Sequence, residues 1–113
     1  MRVTIYHNPR CSNSRRCLDI IRAEGYEPTI IEYLKFPLSR MEIESLVGKM
    51  GVPARDIVRS KEPVYSELGL AEAGEAELLK AMTANPILLN RPIVVTAKGA
   101  KLCRPPELVH ELL

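Results

Sequence analysis

Two short apolar segments, RVTIY at residues 2–6 and EPTIIEYL at 27–34, flank a stretch whose apolar residues recur at helical spacing. The flanks are β-branched and aromatic, as strands are, and Pro37 closes the second. Between them Cys17, Leu18, Ile20, Ile21 and the smaller Ala23 keep a helical period until Gly25 stops it. Strand, helix and strand within about thirty-five residues make a crossover that sets the two strands parallel. An all-helical or all-β chain is excluded, and an α/β fold is expected.

The following segment changes character. SRMEIESLVGKM (39–50) carries Met41, Ile43, Leu46, Val47 and Met50 in a helical pattern behind Ser39, with Glu42 placed to complete a capping box. PARDIVRS (53–60) reads as a short second helix, and AEAGEAELLKAMTAN (71–85) as a third that Pro86 cuts off. A helical block of about 39–85 is therefore inserted. After it, RPIVVTAKGAKLCR predicts strands near 93–96 and 100–103 joined by a turn at Gly99, and PPELVHELL a terminal helix. The expected order is βαβ, helices, ββα on a mixed sheet.

At 113 residues and 46% hydrophobic, the chain suits a single domain, 1–113, with its own core. MRVTIYHNP lacks the apolar run of a signal peptide, and no segment approaches the ~20 apolar residues that cross a bilayer. A cytoplasmic protein with no membrane association is expected. The net charge of +2 argues against broad binding to nucleic acid. Ten of the sixteen basic residues are arginine, whose planar fork suits tetrahedral oxyanions.

The densest chemistry lies in HNPRCSNSRRC, residues 7–17. Cys11 falls in the turn between the first strand and the helix, where its sulfur would face unpaired N–H groups of Ser12, Asn13 and Ser14 and the positive end of the helix dipole. That setting, and cations such as Arg10, Arg15 or a protonated His7, would lower the thiol pKa. A drop of about two units from ~8.5 raises the thiolate fraction at pH 7 from roughly 3% to roughly 75%. Lower basicity costs nucleophilicity, so the net gain is only about threefold. The same helix end must therefore also hold an electrophile, which it can do for an oxyanion.

Spacing separates the candidate chemistries. A C-x-x-C dithiol would need cysteine where Ser14 stands. Three scattered cysteines and two histidines lack the paired spacing of a zinc site, so no metal is expected. A Cys-x5-Arg phosphate loop would need arginine at Cys17, and the arginines stand at 15 and 16. Cys17 lies among the apolar residues of the helix and reads as a buried spectator, and Cys103 as a buried strand cysteine.

IYHNPRCSNSR (5–15), EPTIIEYL (27–34), SELGL (66–70) and NRPIVVTAKGAKLCRP (90–105) together resemble the glutaredoxin-coupled arsenate reductases, nearly end to end. The resemblance implies a thioredoxin-like fold with a helical insertion and reduction of arsenate to arsenite. By it, Cys11 matches the nucleophile that forms a thiol-arsenate adduct. Glutathione, a co-substrate rather than a bound cofactor, and glutaredoxin then resolve the adduct. Arg59 in DIVRSKEP, Arg91 and Arg104 match the arginines that hold the oxyanion, and His7 and Ser14 match positions that tune the thiolate. Pro92 falls where such folds place a cis proline beside the cysteine. Two other readings compete: a glutathione-linked reductase of another substrate, and an Spx-like regulator that contacts RNA polymerase. The latter usually carries the C-x-x-C that Ser14 removes here.

Overall fold

The computed structural model describes residues 1–113, which gather into two compact units: residues 1–36 with 91–113, and residues 37–90. The first is α/β and the second helical.

In the α/β unit, strand β1 (Thr4–His7) leads through helix α1 (Ser12–Ala23) to strand β2 (Thr29–Glu32). The two strands pair in parallel, Thr4 opposite Thr29 and His7 opposite Glu32, as the crossover predicts. Gly25, with φ of +92°, makes the left-handed turn that ends the helix, where a side chain would be strained. Strand β3 (Ile93–Thr96) runs antiparallel to β1, and strand β4 (Gly99–Leu102) antiparallel to β3, so the sheet order is β2-β1-β3-β4. The hairpin turn is Ala97–Lys98, and Gly99 is the first residue of β4 rather than the turn itself. A 3-10 helix, Pro106–Leu112, replaces the expected terminal α-helix.

One face of this sheet is covered by α1 and the terminal 3-10 helix. Val3, Ile5, Val94 and Cys103 meet Cys17, Leu18 and Ile21 of α1 and Val109 and Leu112, all buried. Side chains alternate across a strand, so His7 points to the same face as Ile5. On α1 the buried residues are Ser14, Cys17, Leu18 and Ile21, a stripe at i, i+3, i+4 and i+7. A strand-end histidine and a first-turn serine are thereby aimed into one layer.

In the helical unit, helix α2 (Arg40–Met50) starts as expected at Ser39. Its hydroxyl accepts the Glu42 N–H while the Glu42 carboxylate accepts the Ser39 N–H. Gly51, with φ of +68°, ends it. The expected helix over 53–60 is only a 3-10 turn, Ala54–Asp56. Ile57 and Val58 follow, and β-branched residues favour extended backbone; Val58 forms an antiparallel bridge with Leu89. A short helix α3 (Pro63–Glu67) appears where none was expected. The third expected helix is trimmed to α4 (Glu75–Ala84), because Gly74 takes the cap position and Leu70–Glu72 form a separate 3-10 turn. Helices α2 and α4 pack on each other, and Ile43, Leu46, Leu78, Met82, Ile57 and Leu88 are buried in this unit.

Candidate active site

Cys11 is the N-cap residue of α1, with extended backbone (φ −90°, ψ 121°), where the sequence places it. Its loop is built by Asn8, a residue that motif reasoning passed over. The Asn8 carbonyl accepts the Cys11 N–H at 3.0 Å, its side-chain oxygen accepts the Arg10 N–H at 3.0 Å, and its own N–H donates to Ser14 Oγ at 3.1 Å. Asparagine before a turn offers just such local acceptors, so Asn8-Pro9 was the available signal. The Arg15 guanidinium adds a bond to the Pro9 carbonyl at 2.9 Å.

His7 and Ser14 meet as their faces require, with Nδ1 2.6 Å from Oγ. Burial lowers the His7 pKa, with Glu32 opposing and Arg15 and Arg22 assisting. A neutral ring is therefore assigned at neutral pH, and the protonated His7 considered from sequence is corrected. Ser14 Oγ thus contacts both the His7 ring and the Asn8 N–H, and ties the strand end to the loop backbone.

The Cys11 thiol pKa is lowered on balance. Partial burial pushes it up. The Ser14 N–H, the Arg104 and Arg91 side chains and the Asn13 N–H together outweigh that effect. Arg104 Nη1 lies 3.7 Å from Cys11 Sγ and donates to the Arg91 carbonyl at 2.8 Å. Arg91 is itself only 7% exposed, a buried cation on the same side as the thiol. The Arg91–Pro92 bond is cis, as is Arg104–Pro105, which the sequence did not suggest. The side chains that lower the sulfur's pKa, Arg91 and Arg104, come from far along the chain and act with the N–H groups of Ser14 and Asn13.

Cys17 and Cys103 are both fully buried. The neighbouring Cys103 thiol, and then burial, push the Cys17 thiol far up, which keeps it neutral. Cys11 is thus the one accessible thiol. No three His, Cys, Asp or Glu side chains converge as metal ligands would. Arg59 belongs to the helical unit, where its Nε donates to Glu62 at 3.1 Å and its N–H to the Leu88 carbonyl at 2.7 Å.

This arrangement can stabilise a thiolate and present it beside cations to an anionic electrophile. Comparison with known proteins agrees in kind. The chain is 49% identical over its full length to an arsenate reductase of Rhizobium meliloti, covering 82% of that protein. It is 50% identical over 98% of its length to one of Escherichia coli, covering 80% of it. The solved structure of an arsenate reductase from Vibrio cholerae superposes with a TM-score of 0.96 at 40% identity, over 100% of this chain and 98% of that one. These neighbours share the thioredoxin-like fold. A family model described as ArsC family matches residues 6–112, and the chain belongs to the ArsC family.

Proposed function

We propose that this protein reduces arsenate to arsenite with Cys11 as its nucleophile, in a cytoplasmic setting where glutathione and glutaredoxin supply the second thiol. The observation that carries the reading is the Cys11 sulfur at the head of α1, lowered in pKa and 3.7 Å from Arg104. The named relatives at about half identity over the whole chain support the substrate.

In the first step the Cys11 thiolate attacks arsenic, a sulfur–arsenic bond forms, and an arsenate hydroxyl leaves as water after taking a proton. A glutathione thiolate then attacks the Cys11 sulfur. The sulfur–arsenic pair of electrons stays on arsenic, which falls from the +5 to the +3 state and leaves as arsenite. Glutaredoxin reduces the mixed disulfide and returns the free thiol. Arg91 and Arg104 hold the oxyanion and offset its charge, and His7 and Ser14 hold the loop that aims the sulfur. Arg59 is assigned to the oxyanion by its match to the family motif.

The test is a coupled assay that follows NADPH oxidation through glutathione and glutaredoxin, with arsenate, neutral disulfides and peroxides as alternative substrates. Arsenate-dependent turnover is expected, with Cys11→Ser lowering it by at least about a thousandfold and Cys17→Ala and Cys103→Ala retaining most of it. Turnover on disulfides or peroxides but not on arsenate would replace the proposed substrate.

A further inference from the structure

Beside the Cys11 loop, where β1 and β2 end, a cavity of about 190 Å³ opens between His7, Asn8 and Arg10 on one side and Glu32, Leu34 and Lys35 on the other. We propose that this cavity seats one charged end of a small peptide thiol of glutathione's class, the co-substrate that resolves Cys11; this rests on the reductase reading above.

An external thiol suits Cys11 on grounds of burial, since Cys17 and Cys103, the other cysteines of these 113 residues, are 0% exposed. The cavity adjoins the Cys11 loop, because Arg10 in its wall precedes Cys11 and the carbonyl of Asn8, also in its wall, accepts the Cys11 N–H. Its size is below the ~300–1,000 Å³ of sites that enclose a whole ligand, so it takes one end of a tripeptide and leaves the rest, with its sulfur, outside.

Charge gives the chemical class. The walls carry two cations, Arg10 and Lys35, and one carboxylate, Glu32. Glutathione at neutral pH carries the mirror set of two carboxylates and one ammonium. Lys35 reaches Glu32 at 3.7 Å, with side chains 72% and 35% exposed. Such an exposed ion pair is held weakly, so an incoming carboxylate and ammonium can each replace one partner at little cost. Leu34 adds apolar wall for the methylenes between the charges.

The experiment reads the exchange at Cys11 without arsenate. The Cys11 thiolate attacks glutathione disulfide, one sulfur–sulfur bond forms, another breaks, and one glutathione thiolate leaves. The rate is followed by mass spectrometry and compared with that for the uncharged 2-hydroxyethyl disulfide. Arg10→Gln with Lys35→Gln is expected to slow glutathione disulfide about tenfold and the neutral disulfide less than about twofold, with Lys35→Arg close to wild type. Lys98→Glu, in the hairpin turn at the opposite end of the sheet from His7, changes the net charge by the same amount and is the control. Equal slowing of both disulfides, no slowing, or the same slowing in Lys98→Glu would overturn the subsite. Wild-type arsenate turnover is measured separately. Its absence would remove the reductase reading, while the charge selectivity at Cys11 would still decide the subsite.

Discussion

The α/β unit and the helical unit place their polar groups by different means. In the first, His7 and Ser14 are set by period: every second residue of β1 faces α1, and every third or fourth residue of α1 faces the sheet. In the second, long side chains reach across the chain to backbone. Arg55 donates to Tyr65 Oη at 2.8 Å and to the Leu70 and Ala73 carbonyls at 2.9 and 2.8 Å. The Glu75 carboxylate accepts the Ala54 N–H at 3.0 Å through either oxygen. Short helices and 3-10 turns leave many backbone groups unpaired, and these two side chains satisfy several of them. Periodic order is carried by apolar burial, whereas this stitched order is carried by a few charged groups.

Unfolding experiments can break that contrast. Ile5→Ala empties a fully buried site in the sheet layer and should cost about 2–5 kcal/mol in urea denaturation. Arg55→Ala removes three hydrogen bonds from a charged donor, with an expected cost of about 2–3 kcal/mol. A negligible effect of Arg55→Ala would mean that apolar packing alone holds the helical unit.

A smaller effect sharpens the site. Arg104→Ala should raise the pH midpoint for alkylation of Cys11 by iodoacetamide, since it removes a cation 3.7 Å from the sulfur. An unchanged midpoint would leave the helix N–H groups and Arg91 as the cause of the lowered thiol.

The smallest expected effect is on stability in mild acid. The folded state lowers the His7 pKa, so below about 6.5 the unfolded chain binds a proton that the folded chain resists. Stability is therefore full above that pH and falls as the pH drops towards the folded-state value. His7→Asn should flatten this slope in thermal melts run from pH 7 to 5.

The same contrast explains what could be read from the chain alone. The crossover, the Ser39 capping box and the position of Cys11 are local or periodic signals, and each appears where expected. The 53–60 helix fails because Val58 bridges to Leu89 and the Ile57 carbonyl accepts the Asn90 N–H, partners some thirty residues on, and nothing local announces that pairing. At the site, the pairing of Arg104 with the Arg91 carbonyl follows from the hairpin register, since Ile93 lies opposite Leu102. Asn8 was missed because its role is held in three backbone-level bonds rather than in a reactive group. The pairing of Cys17 with Cys103 depends on how α1 lies on the sheet, which spacing does not give.

Ser14 also bears on what this chain can become. One mutation, Ser14→Cys, would create the C-x-x-C of a self-contained dithiol enzyme. Yet the Ser14 hydroxyl accepts from the Asn8 N–H and hydrogen-bonds the His7 ring within a fully buried spot, and a thiol is a poor substitute for both tasks. The step towards carrying its own resolving cysteine would loosen the loop that aims the first. A chain so built is steered by its own packing to keep Cys11 as its one accessible thiol.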